Sequence, residues 1–80
     1  MSLQRREVLR YVYPDYCLVV WNRETGEEVD RVHHGDIVIA VADETRGTIK
    51  IVTPAGKIGW VYYDSQRLLK IGHCSLEHDL

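Results

Sequence analysis

Residues 48–62, TIKIVTPAGKIGWVY, decide how this chain folds. Ile49 and Ile51 recur with a period of two, and Thr48 and Lys50 alternate with them. That rhythm belongs to a strand, because successive side chains of an extended backbone point to opposite faces. Thr53-Pro54-Ala55-Gly56 follows, with proline at the second turn position, where its fixed φ is already correct. Residues 57–62 then return as the partner strand. On it Ile58, Trp60 and Tyr62 share one face, and Gly59 and Val61 share the other. The stretch reads as a β-hairpin.

The same rhythm extends outward. In residues 37–42 (IVIAVA), Ile37, Ile39 and Val41 form one face and Val38, Ala40 and Ala42 the other. Large side chains on one side and mostly small ones opposite indicate a central strand covered on both faces, with its isoleucines in the core. Residues 43–47 (DETRG) form a polar loop, and His34-Gly35-Asp36 a turn. Residues 17–21 (CLVVW) are continuously apolar, as in a strand buried on both sides. NRETG at 22–26 suits a type I turn closed by a left-handed glycine, and residues 27–32 return as the second leg. Residues 64–67 (DSQR) read as a tight or single 3₁₀ turn, and LLKI at 68–71 as the last strand. Near the N-terminus, residues 8–13 are rich in strand formers and Pro14 ends them. The structured core is expected over about residues 8–71, with 72–80 a loose tail.

Eighty residues support one domain and one core. The formal net charge is −2, from 10 basic and 12 acidic residues, which does not resemble a phosphate-binding footprint. MSLQRREVLR holds no apolar run for an export signal or a membrane span, so the expected location is cytoplasmic and off the membrane. A bond between Cys17 and Cys74 would close a loop worth about 4 kcal/mol on the chain-entropy view. A reducing compartment argues against it, and Cys17 in an apolar strand reads as a free thiol.

Taken together, RVHHGDIVIAV, a loop, TIKIVTPAGKIGWV, a short turn and LLKI resemble an SH3-type barrel of the bacterial and phage kind. In that family a Gly-Asp turn precedes a hydrophobic strand, and a hairpin ends in Gly-Trp-Val before a 3₁₀ turn and a last short strand. The corresponding residues are Gly35-Asp36 and Gly59-Trp60-Val61, and the 17–32 hairpin takes the place of the long first loop. The resemblance covers about three-quarters of the chain. It implies an all-β, SH3-like barrel of about five to six short antiparallel strands, with Val61 inward and Trp60 and Tyr62 on the outer face, partly covered by the N-terminal segment. It does not imply a polyproline ligand. Thr48 or Ile49 stands where peptide-binding SH3 domains carry a tryptophan wall, and Tyr62 stands where they carry a proline.

The residues that could carry a function are aromatic and acidic. Trp60, Tyr62 and Tyr63, joined by Tyr13 and Tyr16, could form a contact surface, since Tyr and Trp dominate binding hot spots. In the competing reading Trp60 seals the end of the core. Glu24, Glu27, Glu28 and Asp30, with Arg23 and Arg31 among them, could form a solvated hairpin tip or select a basic partner. Adjacent His33 and His34 face opposite sides of a strand, and His73, Cys74 and His78 sit in the tail, so no metal site or other cofactor is expected. Cys17, His34 and Asp36 match no mechanical motif, and there is no phosphate-cradling glycine loop, so an enzyme is not expected. The expected function is a non-catalytic protein-interaction module, a small accessory or inhibitor-like protein, with self-association left open. A nucleic-acid-associated barrel using Arg5, Arg6, Arg10, Arg46, Lys57 and Lys70 is the alternative, disfavoured by overall charge. Cell-wall targeting, which many bacterial SH3-like modules serve, is disfavoured by the lack of an export signal.

Overall fold

The structure, a computed structural model, describes residues 5–41 and 46–75. Ala42, the first part of the 43–47 loop, and residues 76–80, His78 included, lie outside the described residues. Seven antiparallel strands account for the fold: β1 (Arg5–Tyr11), β2 (Leu18–Trp21), β3 (Glu28–Val32), β4 (Ile37–Ala40), β5 (Thr48–Val52), β6 (Ile58–Tyr62) and β7 (Leu68–Ser75). They form one sheet in the order β3-β2-β6-β5-β4-β1-β7. Over the described residues the chain is all-β, as expected, but it has seven strands rather than five or six, and the expected closed barrel is replaced by an open sheet with β3 and β7 at its edges.

A single cluster nevertheless draws on all seven strands: Leu9, Tyr11, Val20, Val32, Val38, Ala40, Ile49, Ile51, Val61 and Leu68. Most of these are wholly buried. There is no helix among the described residues to cover them. The sheet therefore covers its own inner face by twisting and coiling, which strongly twisted sheets do readily. Burial of this kind does not require the two edges to pair.

Turn chemistry sets the register. Gly26 (φ +78°) closes the 22–26 turn, with its N–H donating to the Asn22 carbonyl at 2.7 Å. Asn22 Oδ1 accepts from the N–H groups of Glu24 and Thr25. Gly56 (φ +84°) does the same after Pro54, its N–H donating to the Thr53 carbonyl. The β5–β6 register then runs Val52↔Ile58, Ile51↔Gly59, Lys50↔Trp60, Ile49↔Val61 and Thr48↔Tyr62. Before β7, the Asp64 carbonyl accepts from both Arg67 and Leu68, and Asp64 Oδ1 from Gln66, making a single compact turn.

Four expectations need correcting. Residues 72–75 are not tail: they continue β7, which pairs with Arg5–Val8 across a bulge at Val8/Leu9. Strand structure already includes Arg5, three residues ahead of residue 8. In β4 the inward face is Val38 and Ala40, and Ile37 is 42% exposed. Alternation defined the two faces but not their sense; β4 lies with Val38 opposite Leu9 and Ala40 opposite Ile51, both core residues. Finally, β2 is buried on one face only. Val20 points inward while Val19 stays exposed, because β2 and β3 cap the sheet rather than run through its centre.

Candidate functional site

The outer face of β2 and β6 carries an aromatic cluster. Trp21 and Trp60 are Cα partners, the single register pair that joins β2 to β6. The Trp21 and Tyr62 rings lie 4.9 Å apart between centroids, tilted by 42°. That geometry is favourable for two aromatic quadrupoles. The Arg23 guanidinium stands 4.1 Å from the Trp60 ring centroid, a cation–π contact. Tyr62 is 69% and Ile58 56% exposed, whereas Trp21 and Trp60 are half-buried.

Beside the cluster is an open cleft of about 440 Å³ lined by Asn22, Arg23, Glu24, Lys50, Ile58, Gly59 and Trp60. Gly59 allows the close packing beneath it. A Cβ there would fall 2.6 Å from Val20 Cγ1 and 3.0 Å from both the Trp21 carbonyl oxygen and Val29 Cγ2. Glycine at 59 is thus a requirement of strand-on-strand approach, not of backbone conformation.

The five aromatics expected to share a surface do not come together. Trp60 and Tyr62 lie on the outer face, and Trp60 is not part of the core cluster. Tyr63 instead packs against the core, as does Tyr13. Tyr13 and Tyr16 form a second group, with ring centroids 5.6 Å apart and the Arg67 guanidinium 3.9 Å over Tyr13. Tyr11, buried, donates its hydroxyl to the Tyr16 carbonyl at 2.8 Å and so holds this loop. Desolvation raises the Tyr11 pKa above its usual 10.0, only partly opposed by Arg67. Among the described residues the N-terminal segment does not cover Trp60, because β5 and β4 separate β1 from β6. Arg23 and Trp21 occupy that role.

Among the acidic residues, Glu24, Glu27 and Glu28 are all exposed. Glu28 is tied to Arg31, Oε2 to Nε at 2.6 Å and Oε1 to Nη2 at 3.1 Å. This bidentate pair lowers the Glu28 pKa and raises that of Arg31. The Asp30 pKa is also lowered, first by a hydrogen bond from the Thr53 side chain and then by the Arg31 backbone N–H. Glu28 is therefore engaged within the hairpin and Asp30 chiefly by Thr53 of the β5–β6 turn, which leaves Glu24 and Glu27 as the outward charges.

His33 and Asp36 organise the turn before β4, the Asp36 carboxylate accepting from the His33 N–H at 2.9 Å. Cys17 is a free thiol, 3.9 Å from Arg31 Nη1. Among the described residues no group of three His, Cys, Asp or Glu side chains is placed to hold a metal ion.

Sequence reasoning did not place Trp21, Arg23 or Lys50 at the aromatic face. Lys50 was countable only with the turn taken as residues 53–57, not 53–56 as read from the sequence; that longer turn sets Lys50 opposite Trp60. Trp21 was not, because its pairing with Trp60 is long-range. Compared with known proteins, the chain matches no family model, no curated protein and no solved structure.

Proposed function

We propose that this protein is a non-catalytic protein-interaction module, related in plan to the SH3-like domains, that presents the outer face of β2 and β6 to a partner. The observation that carries the reading is the Trp21–Trp60–Tyr62 cluster with Arg23 stacked on it, beside an open cleft. Large aromatics left half-covered outside a core that is complete without them make good contact anchors. The SH3-like plan draws support from the Gly35-Asp36 turn ahead of β4 and from the β5–β6 hairpin with Val61 inward and Trp60 outward. A cytoplasmic setting is part of the proposal, and the free Cys17 thiol is consistent with it. The module acts as an accessory or inhibitor-like protein, by occupancy rather than chemistry.

Nucleic acid would use the same aromatics as stacking platforms and the same cations for phosphate. Glu24 on the cleft wall and exposed Glu27 nearby in the chain disfavour a ligand charged at every residue. The test is affinity capture from lysate with the wild type and a Trp60→Ala/Tyr62→Ala variant confirmed folded by circular dichroism. Partners held by the wild type and lost by the variant support the reading. Identical partners with both would remove the β2–β6 face from it.

A further inference from the structure

Resting on the interaction-module reading, we infer that the cleft between Arg23 and Lys50 is a carboxylate-binding subsite, which takes a glutamate or aspartate side chain of the partner protein. Both cations line the cleft, on either side of Trp60: Arg23 stacks over the ring, and Lys50 is Trp60's cross-strand partner. Three of the molecule's other cations are held by carboxylates. Arg31 meets Glu28, Arg67 meets Asp64, and Lys70 meets Glu7 at 3.3 Å. Among the described residues, neither Arg23 nor Lys50 has a carboxylate within 4 Å.

Glu24 shares the cleft wall but pairs with neither, its backbone N–H held by Asn22 in the turn. Two like charges converging beside a half-buried indole repel each other, and an incoming anion relieves that repulsion. The aromatic and aliphatic wall of Trp60 and Ile58 shields one side of the pair so formed from water, which strengthens it. A single carboxylate on an otherwise apolar extended segment fits this lining. A continuous polyanion does not, because Glu24 and Glu27 stand close by in the chain.

Both tryptophans of the chain, Trp21 and Trp60, stand on this face, so intrinsic fluorescence reports occupancy directly. The experiment titrates the full chain with acetyl-Val-Val-Glu-Val-Val-amide, its glutamine analogue, and an octamer of thymidylate, with amide and indole NMR shifts as a second readout. The glutamate peptide should bind about tenfold more tightly than the glutamine one, as charge-assisted hydrogen bonds exceed neutral ones. Lys50→Gln should remove that preference and leave the glutamine peptide unaffected, while Lys50→Arg keeps it. Equal affinities for the two peptides, a preference unchanged by Lys50→Gln, no response to either peptide, or tighter binding of the thymidylate octamer would each overturn the subsite. Undiminished capture of the Trp60-dependent partners by Lys50→Gln would sink the subsite alone and leave the module reading standing. Melting curves of both Lys50 variants, expected to overlay the wild type, exclude misfolding as the cause.

Discussion

Gly59→Ala tests the packing on which the candidate face rests. The added methyl would sit 2.6 Å from Val20 Cγ1 and 3.0 Å from both Val29 Cγ2 and the Trp21 carbonyl oxygen. Carbon atoms in contact prefer about 3.5–4.0 Å, so Val20 would have to retreat by roughly 1 Å. It cannot do so cheaply. Val20 is wholly buried and β-branched, with one favoured rotamer, and the Trp21 carbonyl is backbone. Overpacking of this kind costs about 1–3 kcal/mol. Against a total stability of about 4–12 kcal/mol for a chain of this size, that is a large share. The expected fall in Tm is about 5–20 °C, at roughly 4–8 °C per kcal/mol for a small domain.

Thermal and urea melts followed by circular dichroism measure the effect, and two controls isolate its cause. Gly72→Ala, where a Cβ meets nothing within 4 Å among the described residues and φ is not positive, should melt within about 0.5 kcal/mol of wild type. Gly56→Ala should cost about 1 kcal/mol through its positive φ alone, independently of Val20. The decisive measurement is a double-mutant cycle: over Val20→Ala, Gly59→Ala should cost at least about 0.5 kcal/mol less. A Gly59→Ala protein that melts with the wild type, or a deficit that survives Val20→Ala in full, would refute the close-approach argument.

Other outcomes follow from the same geometry. Trp60→Ala should lower stability by about 1–2 kcal/mol and leave the protein folded, because the indole is half-buried and outside the core; loss of native far-UV circular dichroism would put Trp60 back in the core. Tyr62→Ala should cost about 0.5–1.5 kcal/mol, most of it the ring contact with Trp21, measured by urea melt. Tyr11→Phe leaves the Tyr16 carbonyl without its donor and should cost about 1 kcal/mol; native-state hydrogen exchange should show the 13–17 loop loosened. Glu28 and Asp30 have pKa values held below their ordinary 4.5 and 3.8, so the unfolded chain takes up protons first as pH falls. Their stabilisation is present above those ordinary values and is lost as pH drops through the lower folded ones. The Tm should therefore fall in acid, and less steeply in Glu28→Gln/Asp30→Asn; equal slopes would count against both hydrogen bonds.

Local chemistry was legible in the sequence wherever a residue's conformation depends on its neighbours. The Gly26, Gly35 and Gly56 turns and the β5–β6 hairpin follow from glycine's access to positive φ, from proline's fixed φ and from a period of two, whereas the inward sense of Val61 came from the SH3-like resemblance. The close approach that Gly59 permits was also readable, since a glycine inside a strand often marks one. Alternation, however, is symmetric. It separates Ile37 and Ile39 from Val38 and Ala40 without saying which pair is inward, and the cross-strand partners Leu9 and Ile51 decided for the smaller side chains.

The site shows the same division more sharply. That Trp60 shares a face with Ile58 and Tyr62 follows from the period of two; its outward sense came from the SH3-like resemblance, and Lys50 stands across from it because the turn spans residues 53–57 rather than 53–56. That Trp21 and Arg23 meet it depends on β2 docking against β6, a contact between residues 39 positions apart that no local preference encodes. Whether the seven strands close or stay open is likewise decided by accumulated twist and by which edges find partners, so β3 and β7 remain edges although every strand contributes to one core. Short-range sterics wrote the strands and turns; long-range pairing placed two tryptophans and two cations side by side.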